Sequence, residues 1–121
     1  MLKLAPGLCA GLFVGCVAAL FLATPTLAAC GRASWYGAES GNRTANGEYF
    51  DGRSLTAAMP SRKYLGHHYR VTHGGKSVVV RITDTGGFAK YGRVIDLSRG
   101  AFAKLAPTSK GVIRVCLERV G

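Results

Sequence analysis

Short apolar runs rich in β-branched residues alternate with glycine-rich turns along most of this chain. Two of the runs, Val78–Ile82 and Val94–Leu97, each carry an aspartate at or just beyond the end, Asp84 and Asp96. Runs of this length and composition favour buried strands. A carboxylate at the end of a buried strand is costly unless it is paired, hydrogen-bonded or used in chemistry. The two aspartates therefore mark the centre of the predicted site.

The same pattern predicts a mainly β domain with six short strands and one short helix. Ser98 is placed to cap the helix, Arg99–Leu105, and Pro107 is placed to end it. A small closed barrel is favoured over an open sheet, because closure leaves no exposed edge strand. The predicted strands are Arg32–Tyr36, Leu55–Ala58, His68–Thr72, Lys76–Thr83, Arg93–Leu97 and Gly111–Arg119.

The first 29 residues are predicted to be a secretory signal peptide, which leaves residues 30–121 as the mature domain. Lys3 precedes an apolar core, Leu8–Ala23, and the small residues Thr26 and Ala28 match the −3 and −1 positions of a possible cut, one residue before the predicted end of the signal. The apolar core is shorter than the roughly 20 residues that a membrane-spanning helix needs. We therefore expect an exported protein.

The predicted mature domain keeps two cysteines, Cys30 and Cys116. An even pair in an oxidising compartment predicts a disulfide, which here would join the two ends of the domain. The segment Leu27–Cys30 also looks like a bacterial lipobox, in which Cys30 would be lipidated and would hold the protein on a membrane. We favour the disulfide and keep the lipoprotein as the alternative.

Basic residues outnumber acidic ones by 16 to 6, which gives the whole chain a formal net charge of +10. An exported basic protein meets cell-wall polymers and anionic envelope surfaces, so we expect no nucleic-acid partner. The basic residues are spread along the chain and do not form one cluster. A solvated surface therefore explains the charge as well as an anionic-polymer partner does.

A loop rich in Gly, Asn, Ser and Thr spans residues 38–53. Within it Glu48 and Asp51 flank two aromatic residues, Tyr49 and Phe50. One interpretation is an Asx turn whose aromatic side chains pack into the core. The other is a carboxylate pair beside a surface that stacks on sugar rings. Three histidines lie near the predicted hairpin, but their spacing fits no zinc pattern, and we expect no metal and no cofactor.

With these residues in view, the chain resembles the rare lipoprotein A family, the septal-ring lytic transglycosylases of bacteria, which have a double-psi β-barrel fold. The resemblance covers Ala33 to Val120. Residues 95–115 are more distantly similar to the expansin and barwin-like barrels. The segments that carry the main resemblance are ASWYG (33–37), TANGEYFD (44–51), LTAA (55–58), YRVT (69–72), SVVVRITDTGGF (77–88) and GRVIDLS (92–98).

The resemblance implies that Glu48, Asp51 and Asp84 occupy the family's functional acidic positions, and that Asp96 matches an aspartate of the expansin-like motif. We expect Asp84 to be the catalytic acid, with Glu48 and Asp51 in supporting catalytic roles. One departure concerns Met59, which stands where the family usually has a histidine implicated in activity. We expect the replacement of this histidine by Met59 to affect catalytic turnover more than the fold.

Six residues are predicted to bind substrate, and each has a structural alternative. The aromatic ones would stack on sugars or form the barrel wall. The arginines would bind muramyl carboxylates or pair with Asp84 and Asp96. For Asp96 we rank first a purely structural role, accepting backbone N–H groups at the start of the helix. The six residues are Trp35, Tyr36, Tyr49, Arg81, Arg93 and Asp96.

The resemblance implies a lyase that cuts the β-1,4 bond after N-acetylmuramic acid in the glycan strands of peptidoglycan and leaves 1,6-anhydro-muramyl ends. We expect a monomer in the periplasm or cell envelope. The alternative from another class is a non-catalytic, expansin-like module that binds wall glycan. A third hypothesis is hydrolysis of β-1,4-glucan by an inverting pair such as Asp84 and Asp96, with carboxyl groups roughly 6.5–9.5 Å apart.

Overall fold

A computed structural model describes residues 29–37 and 43–121 of the chain. Within these ranges the fold consists of six strands, one short α-helix and three single-turn 3₁₀ helices. The elements are β1 (Ala29–Tyr36), β2 (Thr56–Met59), β3 (His68–His73), β4 (Lys76–Thr85), β5 (Arg93–Ser98), α1 (Arg99–Ala103) and β6 (Val112–Val120), with 3₁₀ turns at Arg62–Tyr64, Ala89–Tyr91 and Thr108–Lys110.

The six strands close into a barrel in the order β1-β5-β2-β4-β3-β6. β1 pairs with β5 in parallel, and β2 pairs with β4 in parallel. The other four pairings are antiparallel. The predicted six-stranded closed barrel with one short helix is therefore confirmed.

Alternation along the strands fills the barrel with apolar side chains. Ala57 on β2, Ile82 on β4 and Leu97 on β5 are fully buried and lie next to one another across the sheet. Helix α1 adds Ala101 and Phe102 to the same core. Because neighbouring residues in a strand point to opposite faces, the residues flanking this buried row face outward.

The helix is two residues shorter than predicted. Ser98 caps it as expected, since its Oγ accepts a hydrogen bond from the backbone N–H of Ala101 at 3.1 Å. The helix ends at Ala103, although Leu105 and Ala106 still donate backbone hydrogen bonds to Phe102. The chain is already turning towards Pro107, and a residue that precedes proline disfavours helical geometry.

A disulfide joins β1 to β6 through Cys30 and Cys116, which are directly paired across the two antiparallel strands. The disulfide alternative for these cysteines is thus confirmed. Residues 1–28 of the predicted signal peptide lie outside the described residues. In the ranges that the model describes, no helix has the length and apolar character needed to cross a membrane.

Candidate active site

Two aspartates lie on one row of the barrel wall, on its outer face. Ala58 of β2 is in register with Asp84 of β4 on one side and with Asp96 of β5 on the other. Ser34 of β1 extends the row, since it pairs with Asp96. The two aspartates are therefore separated by two strand spacings, about 10 Å between Cα atoms.

A β-bulge in β4 brings additional polar side chains to this face. The register between β2 and β4 shifts after the Ala57–Ile82 pair, so that Ala58 meets Asp84 and Thr83 is the extra residue. A bulge of this kind re-aims the side chains around it. The polar residues on the outer face at this end of β4 are therefore Arg81, Thr83 and Asp84.

Asp84 is held by residues 43–53, the described part of the predicted loop, which cover this face and are called the covering loop below. Its Oδ1 accepts hydrogen bonds from the backbone N–H groups of Ala45 and Thr85, both at 2.9 Å. Its other oxygen, Oδ2, makes no hydrogen bond with a described residue. Because one oxygen is fixed by two donors, the other can be presented to a ligand in a defined direction.

Glu48 forms a two-pronged ion pair with Arg81. Nη1 and Nη2 of Arg81 donate to Oε2 and Oε1 of Glu48 at 2.5 and 2.9 Å, and Asn46 donates to Oε2 at 2.9 Å. The hydrogen bond from Arg81 lowers the pKa of Glu48. The alternative pairing of Arg81 with Asp84 is wrong, because the loop carries Glu48 over the end of β4, where it accepts one hydrogen bond from each terminal nitrogen of Arg81.

Asp96 accepts a hydrogen bond from Ser34 and does not bind the start of the helix. The structural role predicted for it is therefore wrong. The hydroxyl of Ser34 donates to Oδ1 of Asp96 at 2.7 Å and accepts a hydrogen bond from Nη1 of Arg93 at 2.5 Å. Ser98, and not Asp96, caps the helix, because β5 runs on to Ser98 and Asp96 remains inside the strand. Burial raises the pKa of Asp96, and the nearby Asp84 adds to that rise.

The predicted aromatic residues divide between the core and the surface. Tyr36 stacks on the buried Phe50, with ring centroids 4.7 Å apart, and burial strongly raises the pKa of the Tyr36 hydroxyl. Trp35 packs against the core and donates its Nε1–H to the carbonyl of Thr108 at 2.9 Å. Tyr49 is 69% exposed. It is thus the exposed aromatic side chain of this loop, and the guanidinium carbon of Arg43 lies over its ring, 6.0 Å from the centroid.

The Asx turn predicted around Asp51 is present. Oδ1 of Asp51 accepts from the backbone N–H groups of Arg53 and Ser54 at 2.8 and 2.9 Å, and Oδ2 accepts from the Ser54 hydroxyl at 2.9 Å. These bonds lower the pKa of Asp51. The carboxylate therefore holds residues 51–54 in shape, and α1 packs on this turn through the hydrogen bond from Gly100 N–H to the Gly52 carbonyl at 2.9 Å.

A small depression of about 40 Å³ lies between the loop and β4, with Glu48, Asp51, Arg81 and Thr83 among its walls. A wider groove of about 400 Å³ lies elsewhere, lined by Met59, Arg93 and mostly apolar side chains, without any acidic residue. Met59 is buried in the core, in register with Thr85. The acidic residues Glu48 and Asp51 therefore line the small depression and not the wider groove.

No group of three potential metal ligands occurs within residues 29–37 and 43–121. Two of the histidines are engaged elsewhere on the surface. Nδ1 of His73 lies 2.7 Å from the carbonyl of Arg114, and Nδ1 of His67 lies 3.0 Å from a guanidinium nitrogen of Arg119.

A closed six-stranded barrel with two parallel and four antiparallel pairings places the protein among the small β-barrels, and the family match specifies the double-psi class. The family model described as lytic transglycolase matches residues 28–117, and this chain belongs to that family. It is 50% identical over 93 residues to the probable endolytic peptidoglycan transglycosylase RlpA of Synechocystis sp., covering 74% of this chain and 28% of that protein. It is 45% identical over 96 residues to the endolytic peptidoglycan transglycosylase RlpA of Pseudomonas aeruginosa, covering 74% of this chain and 27% of that protein. The chain thus spans about a quarter of the length of these relatives.

Solved structures share the fold at lower identity. The Streptomyces papain inhibitor matches with a TM-score of 0.68 and 24% identity over 80% of this chain and 97% of its own. A Clavibacter michiganensis expansin in complex with cellohexaose matches with a TM-score of 0.64 and 24% identity, over 78% of this chain and 51% of the expansin. These likenesses establish the architecture and leave the chemistry to the site itself.

Sequence reasoning missed three residues that shape the site: Ser34, Ala58 and Thr83. Ser34 and Ala58 become visible only through strand register, which places them in the row of aspartates. Thr83 precedes Asp84 in the chain, and its burial could have been anticipated from the apolar run before it. Its place beside Asp84 follows from the bulge, which leaves no clear signal in a single sequence.

Proposed function

We propose that this chain is the catalytic domain of an endolytic lytic transglycosylase that cleaves the β-1,4 bond after N-acetylmuramic acid in peptidoglycan. The observation that carries the proposal is the setting of Asp84: one carboxylate oxygen is fixed by two backbone N–H groups and the other is free of described partners. The family and the two RlpA relatives support the same reaction.

In this reaction one carboxyl group acts first as the general acid and then as the general base. Protonated Asp84 gives its proton to the glycosidic oxygen as the bond from that oxygen to C1 of the muramyl residue breaks. The muramyl 6-hydroxyl then forms a bond with C1, and its proton returns to Asp84. No water is consumed, and the product carries a 1,6-anhydro ring.

Neighbouring groups support this chemistry in different ways. Glu48, fixed by Arg81, presents a carboxylate with defined geometry for binding sugar hydroxyls, and exposed Tyr49 offers a stacking surface. Asp51 supports the site indirectly, because its hydrogen bonds hold the turn of residues 51–54 in shape. Asp96 with Arg93 and Ser34 forms a partly buried polar group that supports the Asp84 row from the far side of Ala58.

The protein is proposed to work as an exported monomer in the periplasm or cell envelope. The predicted signal peptide and the disulfide, which suits an oxidising compartment, support this location. In the disulfide form the Cys30 sulfur is not available for lipidation, so attachment to a membrane would require a different form of the protein. Mass spectrometry of protein recovered from the envelope separates the two forms.

A non-catalytic glycan-binding module is the second candidate, and Met59 is the observation that favours it. A buried thioether cannot supply the polar contact of the histidine that the resemblance leads us to expect at this position. The structurally similar expansin was solved with cellohexaose, which supports glycan binding by this fold.

The test uses the mature chain, residues 30–121, with purified sacculi, followed by mass spectrometry of the soluble products. We expect anhydro-muramyl ends that fall at least about 100-fold for Asp84→Asn, because general acid catalysis typically contributes that much or more. Glu118→Gln is the matched control, since Glu118 pairs with Arg70 across strands β3 and β6, outside the candidate site. Wall binding without any product would support the binding module instead.

A further inference from the structure

A buried hydroxyl group without a partner stands beside the candidate active site. Thr83 is only 1% exposed, and its Oγ1 makes no hydrogen bond within the described part of the chain. Burying a hydroxyl in this way costs free energy, so the protein would be more stable with an apolar group at this position. An unsatisfied buried group of this kind calls for an explanation, such as a catalytic role or a bound water or ion.

Thr83 is one of the residues that line the small depression between the loop and β4, whose volume is about 40 Å³. That volume accepts roughly two or three groups the size of a water molecule. It excludes a sugar ring, and it is tight for an acetamido group with four non-hydrogen atoms. A hydroxymethyl group, with one carbon and one oxygen, has the right size.

The polar groups in the wall also suit a hydroxymethyl group. A sugar hydroxyl both donates and accepts a hydrogen bond. Glu48 supplies an acceptor, Arg81 supplies a donor, and Thr83 supplies either one. The ring of Phe50 lies in the same wall and offers an apolar contact for the carbon.

We propose that Thr83 binds the hydroxymethyl group of the muramyl residue that is cleaved. This inference rests on the proposed function and names the group that the depression recognises. The bulge in β4 places Thr83 and Asp84 side by side, so a hydroxymethyl group at Thr83 lies beside the catalytic acid. Its hydroxyl is the nucleophile that closes the anhydro ring, and Thr83 holds it ready for attack on C1.

The first test compares Thr83→Val with Thr83→Ser. Valine has nearly the shape of threonine and removes the hydroxyl, whereas serine keeps it. We expect Thr83→Val to form anhydro product about tenfold more slowly, as loss of one neutral hydrogen bond predicts, with a thermal midpoint equal to or above that of the wild type. Thr83→Ser should retain most of the rate, and Thr72→Val, at an exposed position of β3, should change neither quantity. A joint loss of rate and thermal stability in Thr83→Val would overturn the proposal, because it would indicate a structural hydroxyl.

The second test measures binding without turnover. Peptide-free glycan strands that are 6-O-acetylated are titrated into Asp84→Asn protein by calorimetry, before and after mild base removes the acetyl groups. An acetyl group adds three non-hydrogen atoms and exceeds the depression, so we expect at least about tenfold tighter binding after its removal. Equal affinities would overturn the proposal.

The two tests separate failure of this inference from failure of the proposed function. If the wild type forms no anhydro product but still prefers the deacetylated strands, the transglycosylase activity is wrong and recognition of the hydroxymethyl group stands. If the wild type forms product and Thr83→Val forms it equally fast, the role of Thr83 is wrong and the activity stands.

Discussion

Asp84 and Asp96 are both in register with Ala58, one on each side of it. Ala58 is nearly fully buried and small, so no bulky side chain separates the two aspartates on the outer face of the barrel. Their electrostatic coupling is visible in Asp96, whose pKa is raised by burial and further by Asp84. The two carboxyl groups are therefore electrostatically coupled, although only Asp84 accepts a hydrogen bond from the covering loop.

Asp96 predicts a pH-dependent stability difference. Because its pKa is raised in the folded protein, the folded state holds this proton more tightly than the unfolded state does. The stabilising contribution is complete below the unfolded pKa of about 3.8 and is lost as pH rises through the folded value. Asp96→Asn should therefore gain stability relative to the wild type as pH increases across that window, in urea titrations at several pH values. A difference that is flat with pH would contradict the buried setting of Asp96.

The Glu48–Arg81 pair is predicted to matter for activity more than for stability. Its side chains are partly exposed, 37% for Arg81 and 42% for Glu48, and such pairs contribute about 0–1 kcal/mol. Arg81→Lys keeps the charge and loses the two-pronged geometry. We expect the free energy of unfolding to change by less than about 1 kcal/mol, while the concentration of glycan needed for half-maximal rate rises several-fold. Arg70→Lys, at the remote pair with Glu118, should leave the rate unchanged.

The disulfide is predicted to be a major contributor to stability. Cys30 and Cys116 are 86 residues apart in the sequence, and closing a loop of that length stabilises a fold by up to about 4–5 kcal/mol in the chain-entropy model. The double variant Cys30→Ser/Cys116→Ser should lose about 2–5 kcal/mol in urea unfolding. A loss below about 1 kcal/mol would show that the paired strands β1 and β6 hold the chain ends without it.

Gly100 links the helix to the Asp51 turn, and its replacement should disturb that turn. A Cβ at Gly100 would lie 2.4 Å from the backbone oxygen of Arg53. Gly100→Ala should therefore destabilise the fold by about 1–3 kcal/mol, as overpacking does, and should lower activity by displacing the turn. Gly75→Ala is the control, because nothing lies within 4 Å of the added atom. Equal thermal midpoints for the two variants would refute the tight packing of helix on turn.

Much of the barrel could be predicted from local pattern. Runs such as Val78–Ile82 alternate with turn residues, and this alternation is a property of neighbouring residues that a sequence displays directly. The disulfide followed from the cysteine count and the predicted compartment. The end of the helix was missed by two residues, because local apolar spacing continued to Leu105 after the chain had begun to turn.

The candidate site depends on long-range packing and was predicted only in part. Asp84 was predicted to be a site residue from its place after an apolar run, and its catalytic role stays a prediction. The partner of Arg81 was missed because Glu48 reaches it from a separate loop, held by hydrogen bonds such as Asn46 N–H to the Thr83 carbonyl at 3.1 Å. Asp96 was assigned to the helix start because both it and Ser98 precede the helix, and only the end of the strand decides between them.

The most direct measurement of the central claim is digestion of sacculi in water enriched in oxygen-18, with mass spectrometry of the new glycan ends. Ring closure by the muramyl 6-hydroxyl consumes no water, so we predict anhydro-muramyl ends without oxygen-18, abolished in Asp84→Asn. Reducing ends that carry oxygen-18 would show hydrolysis, as an inverting pair of carboxyl groups such as Asp84 and Asp96 would produce, and would contradict the transglycosylase.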